Sequence, residues 1–381
     1  MHSVGHRIGY AARVSEAGRV VVAGGGVAGC AVAYYLSAAG VPVTLVERAG
    51  VGAQASAWSA GGINPLHGIP APLSALAMES FRLHLGLWPE VQRQSGIDFA
   101  PSRIAMALLA PDAAAVPALL AQGEAFGAAE GFGATWLDPA ALTALEPRLT
   151  APGAGALLTR GNGVLDSHRL TLALAAAAQR NGARLHAGAV SGVEGDGRRV
   201  GAVRCGPDVL PCAAAVFALG PWSQGAAGWL GAPLPVEPLK GEILRLDVPG
   251  PPLPFDVVAP AVSLFVRPGG QIWAGTTSEA RGFDAAPSES ARRALLAAAV
   301  ELMPSLAGAT LERQTACLRP VTPDGLPLIG PVPGWDNAYV ATGGGPKGVL
   351  LAPAMGRAVA DLILAGRTDL SIGPASPARF C

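Results

Sequence analysis

Lysine is nearly missing from this chain: of 27 basic residues only Lys240 and Lys347 are lysines, and arginine supplies the rest. Charge of any kind is scarce, at 14% of 381 residues, and the 27 acids balance the 27 bases. No basic surplus exists to displace counterions from a phosphate backbone, which excludes a nucleic-acid partner. Cysteine is limited to Cys30, Cys205, Cys212, Cys317 and Cys381, widely spread and without a CxxC pair. That pattern argues against a zinc site and a disulfide framework, and fits a reducing cytoplasm. His84, His168 and His186 show no metal spacing, and HExxH, Walker A and GxSxG patterns are absent, so no metal is expected. No uninterrupted apolar run reaches the length of a membrane span. The first residues carry His2, His6, Arg7, Arg13 and Glu16 with no apolar stretch after them, unlike a secretory signal. Residues 1–17 read as a flexible extension.

What is abundant is apolar and glycine-rich. Half of the residues are hydrophobic and 51 are glycine. A chain this long exceeds the size at which one core stops growing, so two domains are expected. Residues 19–24 read as a buried strand, followed by Gly24-x-Gly26-x-x-Gly29, a helix from Cys30 to Ala39, a stop at Gly40 and Pro42, and a strand 43–46 that ends in Glu47. This is one complete βαβ unit. Gly24 allows the tight turn, Gly26 lets backbone approach a pyrophosphate, and Gly29 lets helix and strand pack closely. The helix N-terminus, with Val27 and Ala28, then presents amide groups and a positive dipole end to phosphate. Glu47, eighteen residues after Gly29 and beside Arg48, is placed to accept hydrogen bonds from ribose hydroxyls. Together these features predict dinucleotide binding but leave FAD and NAD both open.

Farther along, helices are predicted over 71–94, 167–180, 288–303 and 349–365, the second capped by Asp166 or Ser167. Strands are predicted at 184–190, 199–205, 214–219 and 338–341, with an alternation of strands and turns over 236–285. Pro268-Gly269-Gly270 marks a hairpin there.

The C-terminal block settles the cofactor by resemblance. Cys317-Leu-Arg319-Pro-Val-Thr-Pro-Asp324-Gly-Leu-Pro-Leu-Ile-Gly330, then Gly343-Gly-Gly-Pro-Lys347-Gly-Val349, resemble the flavin-dependent amino-acid and amine oxidases that include glycine oxidase. Ala55–Gly62 and Ala218–Ser223 match the same family, so the likeness spans nearly the whole chain. The resemblance implies FAD, bound also through Ser56, Ala60, Gly61, Gly62, Val190, Gly220, Trp222 and the turn Gly343, Gly344, Gly345, Lys347, Gly348 and Val349. It implies that Arg319 clamps a substrate carboxylate, a task suited to a guanidinium fork. It also implies a substrate pocket touched by Gly344, His67 and Leu264, the last where the family carries a tyrosine. With no aromatic or histidine at 343–346, a roomier pocket is expected, suited to a bulkier amine or an N-substituted amino acid. Cys317 stands where sarcosine oxidases attach the flavin covalently. Lys347 and Lys240, the surviving lysines, are candidate catalytic cations for oxygen activation or for the flavin's negative charge.

The reading is therefore an α/β fold with a Rossmann-like FAD-binding domain (18–85, 151–230 and 317–381) and an α+β substrate domain with an antiparallel sheet (86–150 and 231–316). The expected reaction is FAD-dependent oxidative deamination of an amino acid or amine, with hydride passing to flavin N5 and oxygen returning hydrogen peroxide. A quinone-linked D-amino-acid dehydrogenase, a 2-hydroxy-acid oxidoreductase and an inactive flavin-binding subunit are the alternatives. The small-molecule amine and the acceptor are the expected partners, and homo-oligomer formation stays open.

Overall fold

The structure is a computed structural model that describes residues 18–150 and 153–381; the expected extension at 1–17 lies outside the described residues. Two sheets organise the chain. The first has six strands in the order Leu328–Pro331, Ala338–Thr342, Ala214–Phe217, Val20–Ala23, Val43–Glu47, Arg184–Ala187. All neighbours run parallel except the first pair. The apolar run Val20-Val-Val-Ala23 is buried throughout, as a strand covered on both faces requires. Val20 and Val22 face the helices Val27–Ala38, Ser74–Ser95, Ser167–Arg180 and Gly348–Ala365. Val21 and Ala23 face the other way, toward Val200 and Val203 of a small antiparallel sheet.

The helix Gly348–Ala365 lies across Val27–Ala38 with almost no gap: a Cβ on Gly356 would stand 2.6 Å from Ala31 Cβ. Gly345–Ala365 has the length and mean hydropathy (1.6) of a membrane span, yet packs among the core helices. Its hydropathy is that of a helix covered by protein. Asp166 is the cap of Ser167–Arg180, accepting from Arg169 N at 2.9 Å.

The second sheet has nine strands: Thr310–Val321, Glu237–Asp247, Ile272–Gly275, Ser263–Val266, Asp256–Val258, Ser102–Ala110, Gly155–Val164 and Gly62–Ile63 in order, with Gly133–Leu137 beside Gly155–Val164. It is antiparallel apart from Asp256–Val258 against Ser102–Ala110. The hairpin marked by Pro268-Gly-Gly joins Ser263–Val266 to Ile272–Gly275. Helix Glu289–Leu302, capped by Ser288, covers its far face.

Sheet membership moves the sequence-derived boundaries. Gly155–Val164 and Gly62–Ile63 belong to the nine-stranded sheet, not to the cofactor side. Thr310–Val321 stays in that sheet four residues past the expected switch at 317. Ser74–Ser95 continues as one helix past 85 and packs with the cofactor-side helices. The chain thus crosses between the sheets several times, and those crossings build the site.

Candidate active site

A cavity of about 450 Å³ runs between the two sheets. One end is the first βαβ unit. Gly24 has φ +106°, and a Cβ there would stand 2.2 Å from Ala218 O; a Cβ on Gly29 would stand 1.9 Å from Gly24 O. Both positions need glycine, one for its turn and both for close backbone approach. Gly26 begins the helix with no side-chain cap, which leaves first-turn amides beside the cavity for an anion. Val27 N donates to Ser56 Oγ at 3.0 Å, tying the second loop to the first. Glu47 accepts from Gly25 N at 2.7 Å and Ala49 N at 2.8 Å, which fixes its carboxylate on the wall. Arg48 lies 4.1 Å over the Trp222 ring. Val190, Gly220, Trp222 and Ala28 line the same end. A glycine cradle, a helix terminus at the cavity and a fixed carboxylate fit a dinucleotide.

The middle of the cavity lies between Ser56, Ala60 and Gly62 on one side and Gly343 to Val349 on the other. Lys347 Nζ donates to His67 O at 2.6 Å, and burial lowers its pKa to about 8. His67 accepts from Gln122 Nε2 at Nδ1 (3.0 Å); burial first, then Lys347, hold its pKa below the usual value.

The far end is set by register. Strands Glu237–Asp247 and Thr310–Val321 pair so that Leu239 faces Arg319 and Gly241 faces Cys317. Arg319 Nη2 donates to Thr277 O (2.7 Å), Ser278 Oγ (2.9 Å) and Lys240 O (3.2 Å). Every one of these partners is neutral. Among the described residues no carboxylate pairs with Arg319, and burial lowers its pKa. A half-buried guanidinium is thus held in place at this end of the cavity with its charge left without a carboxylate partner.

A family model described as FAD dependent oxidoreductase matches residues 19–362. This chain belongs to that family. It is 35% identical over 373 residues to a glycine oxidase of Pseudomonas aeruginosa, covering 94% of this chain and 98% of the relative. It is 30% identical to a D-amino acid dehydrogenase of Methylobacterium nodulans, covering 95% and 99%. Among solved structures it is similar to glycine oxidase from Geobacillus kaustophilus: TM-score 0.90, 29% identity, 96% of this chain and all of that one. The chain is an FAD-dependent oxidoreductase acting on CH–NH groups, and FAD is its cofactor.

Three expected site residues of the flavoenzyme, Leu264, Lys240 and Gly61, lie off the cavity wall. Leu264 is fully buried in the core beneath the nine-stranded sheet, while its neighbours Ser263 and Phe265 line the cavity. Side chains alternate along a strand, so an offset of one residue exchanges wall for core. Lys240 is off the wall for the same reason, since its neighbour Gly241 faces the cavity. The lysine is 2% exposed, and its Nζ donates to Asp284 (2.9 Å) and Ala286 O (2.5 Å) and lies 3.5 Å from Glu242. Gly61 is behind the wall, where its φ of +74° carries the turn; a Cβ there would meet Leu165 O at 1.9 Å.

Cys317 does line the cavity, and burial raises its thiol pKa against the opposing effect of Arg319. Sequence reasoning missed Gly241, Met106, Asp256 and Phe265, all on the wall. Asp256 pairs with buried Arg267 at 3.1 Å, and Arg267 Nε donates to Ala60 O at 2.5 Å, which links the substrate sheet to the flavin loop. A lone Asp and a lone Arg eleven residues apart carry no local signal of that pairing.

Proposed function

We propose that the enzyme oxidises the α carbon–nitrogen bond of a small amino acid or N-substituted amino acid whose carboxylate sits on Arg319. The observation that carries this reading is the uncompensated, fully oriented guanidinium at the end of the cavity. Bidentate binding there fixes the α-carbon in one orientation. FAD, when bound, accepts the two electrons of the oxidation. The chain's own part is to bind and to exclude water: Met106, Ile243, Val258 and Phe265 give this region apolar walls. The imine product then takes up water to give a carbonyl compound and an amine.

The argument for a roomier pocket from Leu264 lapses, since Phe265 keeps an aromatic ring on the wall. The side-chain-free turn Gly343–Gly345 still leaves room for an N-substituent. Lys347 carries positive charge below its pKa of about 8 and is our choice for the cation that assists reoxidation. His67 closes the pocket beside it. We read the flavin as non-covalent, because burial raises the Cys317 thiol pKa and so disfavours the thiolate that attachment needs. Oxygen as acceptor, with hydrogen peroxide as product, follows the oxidase relatives, and a cytoplasmic setting follows the five unpaired thiols. The 30% identical D-amino acid dehydrogenase favours a second reading, transfer of the electrons to a quinone.

Anaerobic titration of the yellow protein tests the proposal. Glycine, sarcosine, proline, D-amino acids and 2-hydroxy acids are added in turn, and air is then readmitted. Bleaching by an amino acid, with fast return of colour and peroxide, is the expected result. Slow return supports the dehydrogenase, and bleaching by hydroxy acids alone sinks the carbon–nitrogen assignment.

A further inference from the structure

The cavity-facing side of the nine-stranded sheet continues past the cavity. Ser263, Gly275, Ile243 and Thr315 form one cross-strand row, with Ser263 and Ile243 on the wall. Two residues along every strand lies the next row on the same face: Phe265, Trp273, Arg245, Arg313. Phe265 still touches the cavity, and Arg313 is exposed to solvent. This row therefore leads from the pocket to the outside.

Arg245 and Arg313 are direct cross-strand partners. Like charges in that position oppose pairing. Yet among the described residues neither guanidinium has an ion pair or a hydrogen bond, and Arg245 Nε is buried with no partner. Their contacts are with aromatic faces. Arg245 Cζ lies 4.1 Å from the Trp273 ring centre and 5.5 Å from that of Trp58, and Arg313 Cζ lies 6.0 Å from Trp58, itself a wall residue. Two carboxylates stand near enough to act on Arg245 by charge, but neither hydrogen-bonds to it and both accept from other groups. Asp166 caps a helix through Arg169 N, and Glu312 accepts from Gln271. Stacking on indole holds the planar guanidinium groups and leaves their edges free.

We propose that Arg245 and Arg313, backed by Trp58 and Trp273, form an oxyanion subsite at the cavity mouth that captures the carboxylate of arriving substrate. An oxyanion between the two would relieve their repulsion. Arg313 is six residues from Arg319 on one strand, about 20 Å at 3.4 Å per residue. A small amino acid cannot span that distance, so the subsite holds a molecule on its way in and Arg319 holds it for reaction. The capture role rests on the proposed carboxylate-bearing substrate, whereas oxyanion binding itself does not.

The test uses the FAD-loaded enzyme and the double variant Arg245→Gln/Arg313→Gln, with two readouts. The first is kcat/KM of the best bleaching amino acid against ionic strength. In the double variant we expect kcat/KM at low salt to fall about tenfold, carried by KM, with a flattened salt dependence. The second is calorimetric titration with inorganic phosphate, whose binding should be lost in the double variant. Equal phosphate binding by both proteins, or none by the wild type, overturns the subsite. Lost phosphate binding with unaltered kcat/KM and salt dependence overturns the capture of substrate. If no amino acid turns over, the functional assignment fails while the phosphate titration still decides the subsite. Arg313→Gln alone, at an exposed position, guards against misfolding and should weaken phosphate binding in the same direction.

Discussion

A hydrogen atom decides where Arg319, the proposed substrate anchor, lies. Gly241 stands across the strand pair from Cys317, and a Cβ there would fall 2.8 Å from Arg319 Cζ. The guanidinium lies over the space that a side chain would fill. Gly241→Ala should therefore displace Arg319 and raise KM by roughly 10- to 100-fold, since small misplacements at a binding group carry that cost. Steady-state kinetics with the best amino acid, beside the flavin-to-protein ratio, checks this; an unchanged KM would remove Arg319 as the anchor. At this scale the sequence was informative wherever spacing is local. Gly24, Gly26, Gly29 and Glu47 lie within one βαβ unit, and each has a task that its position in the unit dictates. Arg319 and Lys347 were found through resemblance and do reach the wall. Leu264 and Lys240 lie off the wall because one step along a strand reverses the side chain, and nothing local fixes that phase. Gly241 was silent because the atom it must avoid belongs to a residue 78 positions away.

Among the elements, the connection from Ile272–Gly275 to Glu289–Leu302 is a strap laid over the substrate end. Thr277 and Ser278 receive Arg319, and Glu279 exchanges backbone hydrogen bonds with Lys240 at 2.9 and 3.0 Å. Asp284 accepts from Lys240 Nζ, and Ser288 donates to Glu242 through both N (2.9 Å) and Oγ (2.8 Å). At its crest Phe283, 56% exposed, stacks on Trp222. Lys240 is thus a staple that holds the strap. Lys240→Met leaves buried Glu242 without its cation and should cost about 3 kcal/mol, seen as a drop of several degrees in Tm. KM should rise with it, because the carbonyl that orients Arg319 rides on the same strap. Adding Glu242→Gln should recover part of the lost Tm; a double variant worse than the sum would contradict the staple. Most helices and strands were legible from periodicity, caps and glycine stops. Sheet membership was not, since Gly155–Val164 reads as a strand without stating its partner.

For the molecule as a whole, the repeated crossings mean that neither sheet is a separate folding unit. Thr310–Val321 lies in one sheet, and after a short turn Leu328–Pro331 begins the other. Heating should give one unfolding transition by circular dichroism and by flavin fluorescence, and its midpoint should rise with free FAD. Two resolved transitions would show the sheets to be independent. The two large sheets do not follow the boundaries drawn for two domains, because those boundaries came from motifs rather than from strand pairing.

The strand Thr310–Val321 has a practical corollary. It places Cys317, on the shared wall, and Arg319, at the substrate end, two residues apart on one rigid rod. A batch that loses its yellow FAD in storage still carries Arg319 on that rod but has no electron acceptor beside it, so absorbance read before an assay is already a measure of how many molecules can still turn over what they hold.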